Sequence, residues 1–324
     1  MASTVTDLVS VRQITPTLFE SVHNPQRMGS MADQAFGGNT LAVAVNAAFQ
    51  TVPSGFFLYS ALGNYLGPAF TDRKLQCAIR EIRTTKTFAT RQVEMSQEQN
   101  DGKNRLCLFL SADFQIVEPA TLLTYSRPPR MTYSTVEDCQ TEAENRQSFL
   151  ERGLISKQVV QMAKVVFGLN ERLFDRRLCP EGIVTQNFIG MVTKGTPTTQ
   201  DHLPLPSKTS ADYFRSKHLL RTPAQHASAL AFVVDMGTSF LPLAHNGQSL
   251  DEVAAQASLD FALRIFKNDV DLNVWSFREM STVTGGDGRT YTEMQVWDDS
   301  GKMLCSMTQQ CILRPKSAKE AAKI

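Results

Sequence analysis

Long apolar runs are missing from this 324-residue sequence. The most apolar stretch, at 41–49, falls well short of the ~18–20 residues that cross a bilayer, so no membrane span is expected. Charge of one sign is missing too: 33 Lys and Arg stand against 32 Asp and Glu, a net +1. That balance offers nothing to a nucleic-acid backbone or an anionic membrane surface. The five histidines (His23, His202, His218, His226 and His245) make neither HxH nor HExxH, and the six cysteines make no CxxC. Zinc sites and dithiol chemistry therefore lack their usual spacing, and neither a metal nor a cofactor is expected. The opening MASTVTDLVSVRQ has no basic flank leading into an apolar stretch. A secretory leader is not expected, and the thiols read as free in a reducing compartment.

What is present is 42% hydrophobic residues, ordinary for a globular core, arranged in a recurring order. FGGNTLAVAVNAAFQTVP, residues 36–53, predicts a helix over 38–50 with almost no polar face. Strand-like segments follow at 55–67, 74–84, 87–97 and 100–119, the last opening on the turn signal Asn100-Asp101-Gly102. Residues 119–180 carry Pro119, Pro128 and Pro129 and then many charges. They read as a surface connection with helices near 140–168. The pattern then returns. TPAQHASALAFVVDMG, residues 222–237, predicts a second small-residue apolar helix with Thr222 as N-cap and Pro223 at its first position. Segments 254–266, 272–283, 289–299 and 301–315 read as four more strands.

The two halves even share words. NDGKNRLC at 100–107 returns as DSGKMLC at 299–305, just under 200 residues later, and both final strands end on proline, Pro119 and Pro315. This is a diverged repeat of a whole domain. An apolar helix without a polar stripe is stable if a curled sheet covers most of its sides. The expected fold is therefore α+β: a double hotdog, with one continuous antiparallel sheet and two buried helices. Expected bounds are 1–125 for the first hotdog, 126–172 for the connection, 173–316 for the second hotdog and 317–324 for a tail.

FGGNTLAVAVNAAFQTVP, YSALGNYLGPA, FATRQVEMSQ, LSADFQ, HASALAFVVDMG, ASLDFALRIF and SMTQQCILRPK also occur in the order found in type II acyl-CoA thioesterases. The chain resembles that family over about 30–119 and 175–316. The resemblance implies a double hotdog that hydrolyses acyl-CoA to free acid and CoA, with a water held by an aspartate, a hydroxyl residue and a glutamine. The matching positions are Asp235 late in the second buried helix, Ser258 ahead of Leu259-Asp260, and Gln309 on the last strand, with Gln310 as the rival if the register slips by one. The sequence departs from the family pattern at Phe261, where a histidine is usual, and at Arg264-Ile265-Phe266. Phe261 and Arg264 are therefore expected near the acyl pocket. The partner implied is an acyl-CoA substrate, and a homo-oligomer is left open.

The chemistry is reasonable from the residues themselves. A carboxylate buried at a helix end has a raised pKa and can take a proton from water. Serine hydroxyl and glutamine amide can fix that water's orientation. The glycine-led start of the first helix, Gly37, Gly38 and Asn39, can offer backbone N–H groups to an oxyanion. Each residue also has a bland reading: Asp235 as a solvated helix end, Ser258 as a strand-start serine, Gln309 as an outward strand residue. His226 reads as a packing residue, Cys305 and Cys311 as buried fillers of equal strand parity. Arg80, Arg83 and Arg91 read either as a solvated strand face or as contacts for CoA phosphates. The first half has no counterpart of the carboxylate, so one site per chain is expected. Ala322-Lys323-Ile324 resembles a loose variant of the Ser-Lys-Leu peroxisome address, which sets a peroxisomal location against a cytoplasmic one. The alternative function is a repurposed hotdog that dehydrates, cyclises or only binds a thioester-linked or released intermediate.

Overall fold

A computed structural model describes residues 2–192, 195–249 and 252–316. The Ala322-Lys323-Ile324 signal lies outside these residues. After a short helix α1 (Val5–Leu8) in the first half, each half carries an antiparallel strand pair that the sequence reading did not include: β1 (Val11–Thr15) with β2 (Leu18–Ser21), and β7 (Phe174–Leu178) with β8 (Ser210–Ser216), the latter two flanking a short helix α5 (Ile183–Gln186). Helix α2 (Gly37–Phe49) and strands β3 (Phe56–Tyr65), β4 (Gln76–Thr84), β5 (Phe88–Glu98) and β6 (Asn104–Ile116) complete the first half. In the second half, α6 (Pro223–Val234) is followed by β9 (Val253–Ser258), β10 (Asp260–Ile265), β11 (Ser276–Gly286), β12 (Arg289–Trp297) and β13 (Met303–Pro315). The strand order is β1-β2-β4-β5-β6-β3-β10-β13-β12-β11-β8-β7, all antiparallel, with β9 added against β13. Read from either end, the order is the same series of equivalents meeting at the β3–β10 seam. The expected double hotdog with one continuous sheet is what the chain forms.

The two helices are buried because the sheet wraps them. Leu41 to Val45 and Ala229 to Val234 are wholly inaccessible to solvent. Burying one such Leu or Val side chain is worth about 1.5–3 kcal/mol. Strands supply the complement by alternation, since successive side chains point to opposite faces. In β5, Ala89, Arg91, Val93, Met95 and Gln97 face inward. In β13, Cys305, Met307, Gln309 and Cys311 do. The helices touch each other where Phe36 meets Phe232 edge-on at 5.1 Å. There a Cβ on Gly38 would stand 2.6 Å from the Phe232 carbonyl oxygen, so only glycine permits the approach. A buried arginine holds the C-terminal end of each helix. Arg91 donates to the Thr51 carbonyl (2.8 Å) and Arg278 to that of Val233 (2.7 Å). Arg91 is thus neither a solvated strand residue nor a phosphate contact; strand parity turns it inward while Arg80 and Arg83 stay exposed.

The connection between the halves crosses the outer surface of the second half. Its extended part is tied down by hydrogen bonds from Trp297 Nε1 to the Arg127 carbonyl (2.7 Å) and from the Arg130 N–H to Glu279 (2.9 Å). Then α3 (Glu142–Glu151), opened by a Thr141/Glu144 capping box, and α4 (Lys157–Leu173), capped by Ser156, form a small hydrophobic cluster with Phe149, Ile155, Ala163 and Phe188. No helix among the described residues is long and apolar enough to cross a membrane.

Candidate active site

Asp235 closes α6 as its C-cap and is 5% exposed. Its carboxylate Oδ1 accepts hydrogen bonds from Gln309 Nε2 (2.7 Å) and from the Tyr65 hydroxyl (3.0 Å). Burial pushes the Asp235 carboxyl up to about 6; the bonds from Gln309, Tyr65 and the Gly38 N–H hold it from rising further. Burial and the neighbouring carboxylate push the Tyr65 phenol well above its ordinary range, so Tyr65 stays a neutral donor. Gln309 is itself fixed: the Thr238 hydroxyl donates to its Oε1, and the Thr238 carbonyl accepts from Thr292 Oγ1 (3.0 Å). Gln309 is fully buried and stands behind Asp235, while Gln310 turns the other way and donates to Asp260.

Asp235 lines a cavity of about 770 Å³, together with Gly37, Tyr65 and Ser258. That is the size of a small-molecule site. Ser258 ends β9, opposite Cys311 in register. The expected unbroken strand over 254–266 is split here. Leu259 leaves the ladder, donating its N–H to the Gln310 carbonyl (2.8 Å) and accepting from the Tyr65 N–H (2.9 Å). This break links the strands that carry Tyr65 and Gln309. Ser258 reaches the same cavity as Asp235, yet its hydroxyl hydrogen-bonds the Cys311 thiol rather than Asp235 or Gln309.

The start of α2 is more divided than expected. The Asn39 and Thr40 N–H groups both go to the Phe36 carbonyl, and the Gly38 N–H to Asp235. Asn39 is buried away from the cavity and uses its Oδ1 to accept the Gln26 N–H (2.8 Å), so it is a loop anchor rather than an oxyanion donor. With the Gly38 and Asn39 N–H groups engaged, one residue of the three keeps its N–H for a substrate. That residue is Gly37. It lines the cavity, its N–H has no acceptor among the described residues, and a Cβ there would lie 2.9 Å from Asp235 Oδ2.

Two expected pocket residues are elsewhere. Arg264 is exposed on the outer face, because β10 alternates and Phe261, Leu263 and Ile265 take the inner one. Phe261 is buried behind Tyr65, with ring centroids 5.3 Å apart, and supports that ring rather than lining the cavity. His226 is a packing residue as read: its Nδ1 accepts the Leu272 N–H (3.1 Å), and burial lowers its pKa. The sequence reading missed Tyr65 and Thr238. Thr238 was findable, three residues past Asp235; nothing linear places Tyr65, 170 residues earlier, beside it. No group of His, Cys, Asp and Glu able to hold a metal occurs among the described residues.

The profile of the acyl-CoA thioesterase N-terminal domain matches residues 24–115, and that of the acyl-CoA thioesterase C-terminal domain matches residues 173–313. Among solved structures, the fold is similar to that of the tesB protein of Mycobacterium avium subsp. paratuberculosis, at 15% identity and TM-score 0.68, covering 96% of this chain and 98% of that one. It is also similar to acyl-CoA thioesterase II TesB2 of Mycobacterium marinum, at 17% identity and TM-score 0.65, covering 97% and 98%. A hot dog fold protein of unknown function from Alicyclobacillus acidocaldarius is similar at 13% identity and TM-score 0.68, covering 97% and 98%. No curated protein matches the sequence. The two domain matches, in tandem and over most of the chain, show that it belongs to the type II acyl-CoA thioesterase family, hydrolases acting on acyl-CoA.

Proposed function

We propose that the protein hydrolyses an acyl-CoA thioester with Asp235 as general base. Asp235 takes a proton from water, and the hydroxide attacks the thioester carbonyl carbon. The negative charge then on the carbonyl oxygen is met by the Gly37 N–H at the positive end of α2. Collapse of this intermediate breaks the C–S bond. The proton held by Asp235 passes to the departing sulfur, giving free CoA, and the acyl group leaves as a carboxylic acid. Gln309 and Tyr65 hold the carboxylate by Oδ1, so that Oδ2, beside Gly37, is the oxygen left for the water. Ser258 is the cavity hydroxyl that orients that water.

The observation that supports this reading most is the pairing of a buried carboxylate, pushed up to about 6, with an unengaged helix N-terminal N–H in one cavity. A base with a pKa near the working pH combines the right ionisation with a useful driving force for proton transfer. The test is release of free thiol from short, long and branched acyl-CoAs by wild type and Asp235→Asn. Loss of the base is expected to cost at least about 10²-fold. Equal rates for the two proteins on every substrate would sink the reading and favour a hotdog with different chemistry.

A further inference from the structure

The cavity is largely apolar, with Phe167, Phe188, Phe240 and Leu241 in its lining, but one wall is ionic. Its mouth is marked by exposed Ser30, Gln34, Leu66 and Pro68, whereas Asn170 and Arg278 on its wall are almost inaccessible. A charged nucleotide as large as CoA stays at such a mouth, so the acyl group is the part that reaches inward. There it meets apolar side chains and, on one wall, ions. Arg278 grips Asp212 through Nε (2.8 Å) and Nη2 (2.6 Å), Asp212 is shared with Arg176, and Arg176 also binds Glu142. Arg146 on the same wall pairs with Glu171. Glu142, Asn145, Arg146, Asn170 and Arg176 all line the cavity, contributed by the connecting helices and β7.

The cluster sets three guanidinium groups, Arg146, Arg176 and Arg278, against three carboxylates, Glu142, Glu171 and Asp212. It is charge-balanced, so a charged acyl terminus would leave one ion unpaired in a buried place. It is also not saturated. Glu142 accepts through Oε1 from Arg176 and Asn170, and the Asn170 Oδ1, in a side chain 2% exposed, has no partner. Asn145, on the same wall, donates from Nδ2 to the Thr185 carbonyl (3.2 Å), and its side-chain amide carries a second N–H and an acceptor oxygen. An alkyl terminus would strip water from these groups and return nothing. A hydroxyl is neutral and can both donate and accept.

We propose that the acyl group this enzyme accepts is oxygenated, carrying a hydroxyl near the end remote from the thioester that hydrogen-bonds Glu142 and its Asn145 and Asn170 neighbours. This deepens the thioesterase reading and rests on it. The test compares octanoyl-, decanoyl- and dodecanoyl-CoA with their terminally hydroxylated counterparts. At the best-fitting length the hydroxylated substrate is expected to have the higher kcat/KM by about tenfold or more, because a site built to bond a substrate hydroxyl discriminates strongly against its absence. Glu142→Gln, which keeps the shape and loses the charge, and Asn145→Leu are each expected to lower that ratio about tenfold. Binding of the matching thioether analogues, which cannot be hydrolysed, is measured in parallel by calorimetry on wild type. Tighter binding of the hydroxylated analogue with no turnover of either series would uphold the oxygenated lobe and overturn the hydrolase. Equal or better turnover and binding of the plain chains at all three lengths would overturn the proposal and leave the hydrolase standing.

Discussion

Asp235→Asn is expected to make the protein more stable as well as inactive. Folding buries this carboxyl and raises it from 3.8 to about 6. A group whose pKa is higher in the folded state binds its proton more tightly there, so its contribution is full below pH ~4 and is lost as pH rises through about 6. A shift of roughly two pH units at about 1.4 kcal/mol each means that the ionised carboxylate costs about 3 kcal/mol of stability at neutral pH. Asparagine stays neutral and keeps an oxygen for Gln309 and Tyr65. Its amide replaces an acceptor with a donor beside the start of α2, which returns about 1 kcal/mol of that gain. The net expectation is a variant about 2 kcal/mol more stable at pH 7.5, seen as a melting temperature a few degrees higher. Urea unfolding of both proteins across pH 4 to 8 isolates the effect, since other buried acids such as Glu142 and Glu279 cancel in the difference. The gap should open between about pH 4 and pH 6 and be flat above pH 7. A variant less stable at pH 7.5, or a gap independent of pH, would refute the claim that Asp235 is a strained buried base.

The same titration predicts that wild-type kcat/KM falls on the acid side with a midpoint at about 6, measured as thiol release across pH 4.5 to 8.5. Tyr65→Phe removes a donor that lowers the Asp235 pKa, so this midpoint should move upward, and an unchanged profile would separate Tyr65 from the base. Asp212→Ala leaves Arg176 and Arg278 buried without their shared carboxylate and should cost about 3–5 kcal/mol in denaturant titrations, whereas a loss below 1 kcal/mol would mean that the cluster is solvated. Gly38→Ala drives a methyl against Phe36 and the Phe232 carbonyl and should cost about 1–3 kcal/mol; near-wild-type melting would show that the helices can separate at that crossing.

Much of the architecture was legible because burial imposes periodicity. The apolar helices, the alternating strands and the repeated hairpin words follow from each half solving the same packing problem. Gln309 shares its inward parity with Cys305 and Cys311, a signal in the sequence that favours it over Gln310. The strand pairs at the start of each half were passed over because they are short and, in β1, largely exposed, so they carry little hydrophobic pattern. Arg264 and Asn39 were misplaced for a related reason. Proximity along the chain to a site says nothing about which side of a strand or helix a residue faces.

By itself the sequence determined the two apolar helices, the strands that follow each of them and their shared order, since these depend on neighbours two to four residues apart. Only the tertiary structure decided the site. Tyr65 and Gly37 from one half meet Asp235 and Gln309 from the other because the sheets join edge to edge at β3 and β10 and the helices cross at Gly38. The raised pKa of Asp235 and the ionic wall of the cavity are properties of that assembly. Desolvation acts on a charge according to everything packed around it, and what surrounds these groups comes from residues far apart in the chain.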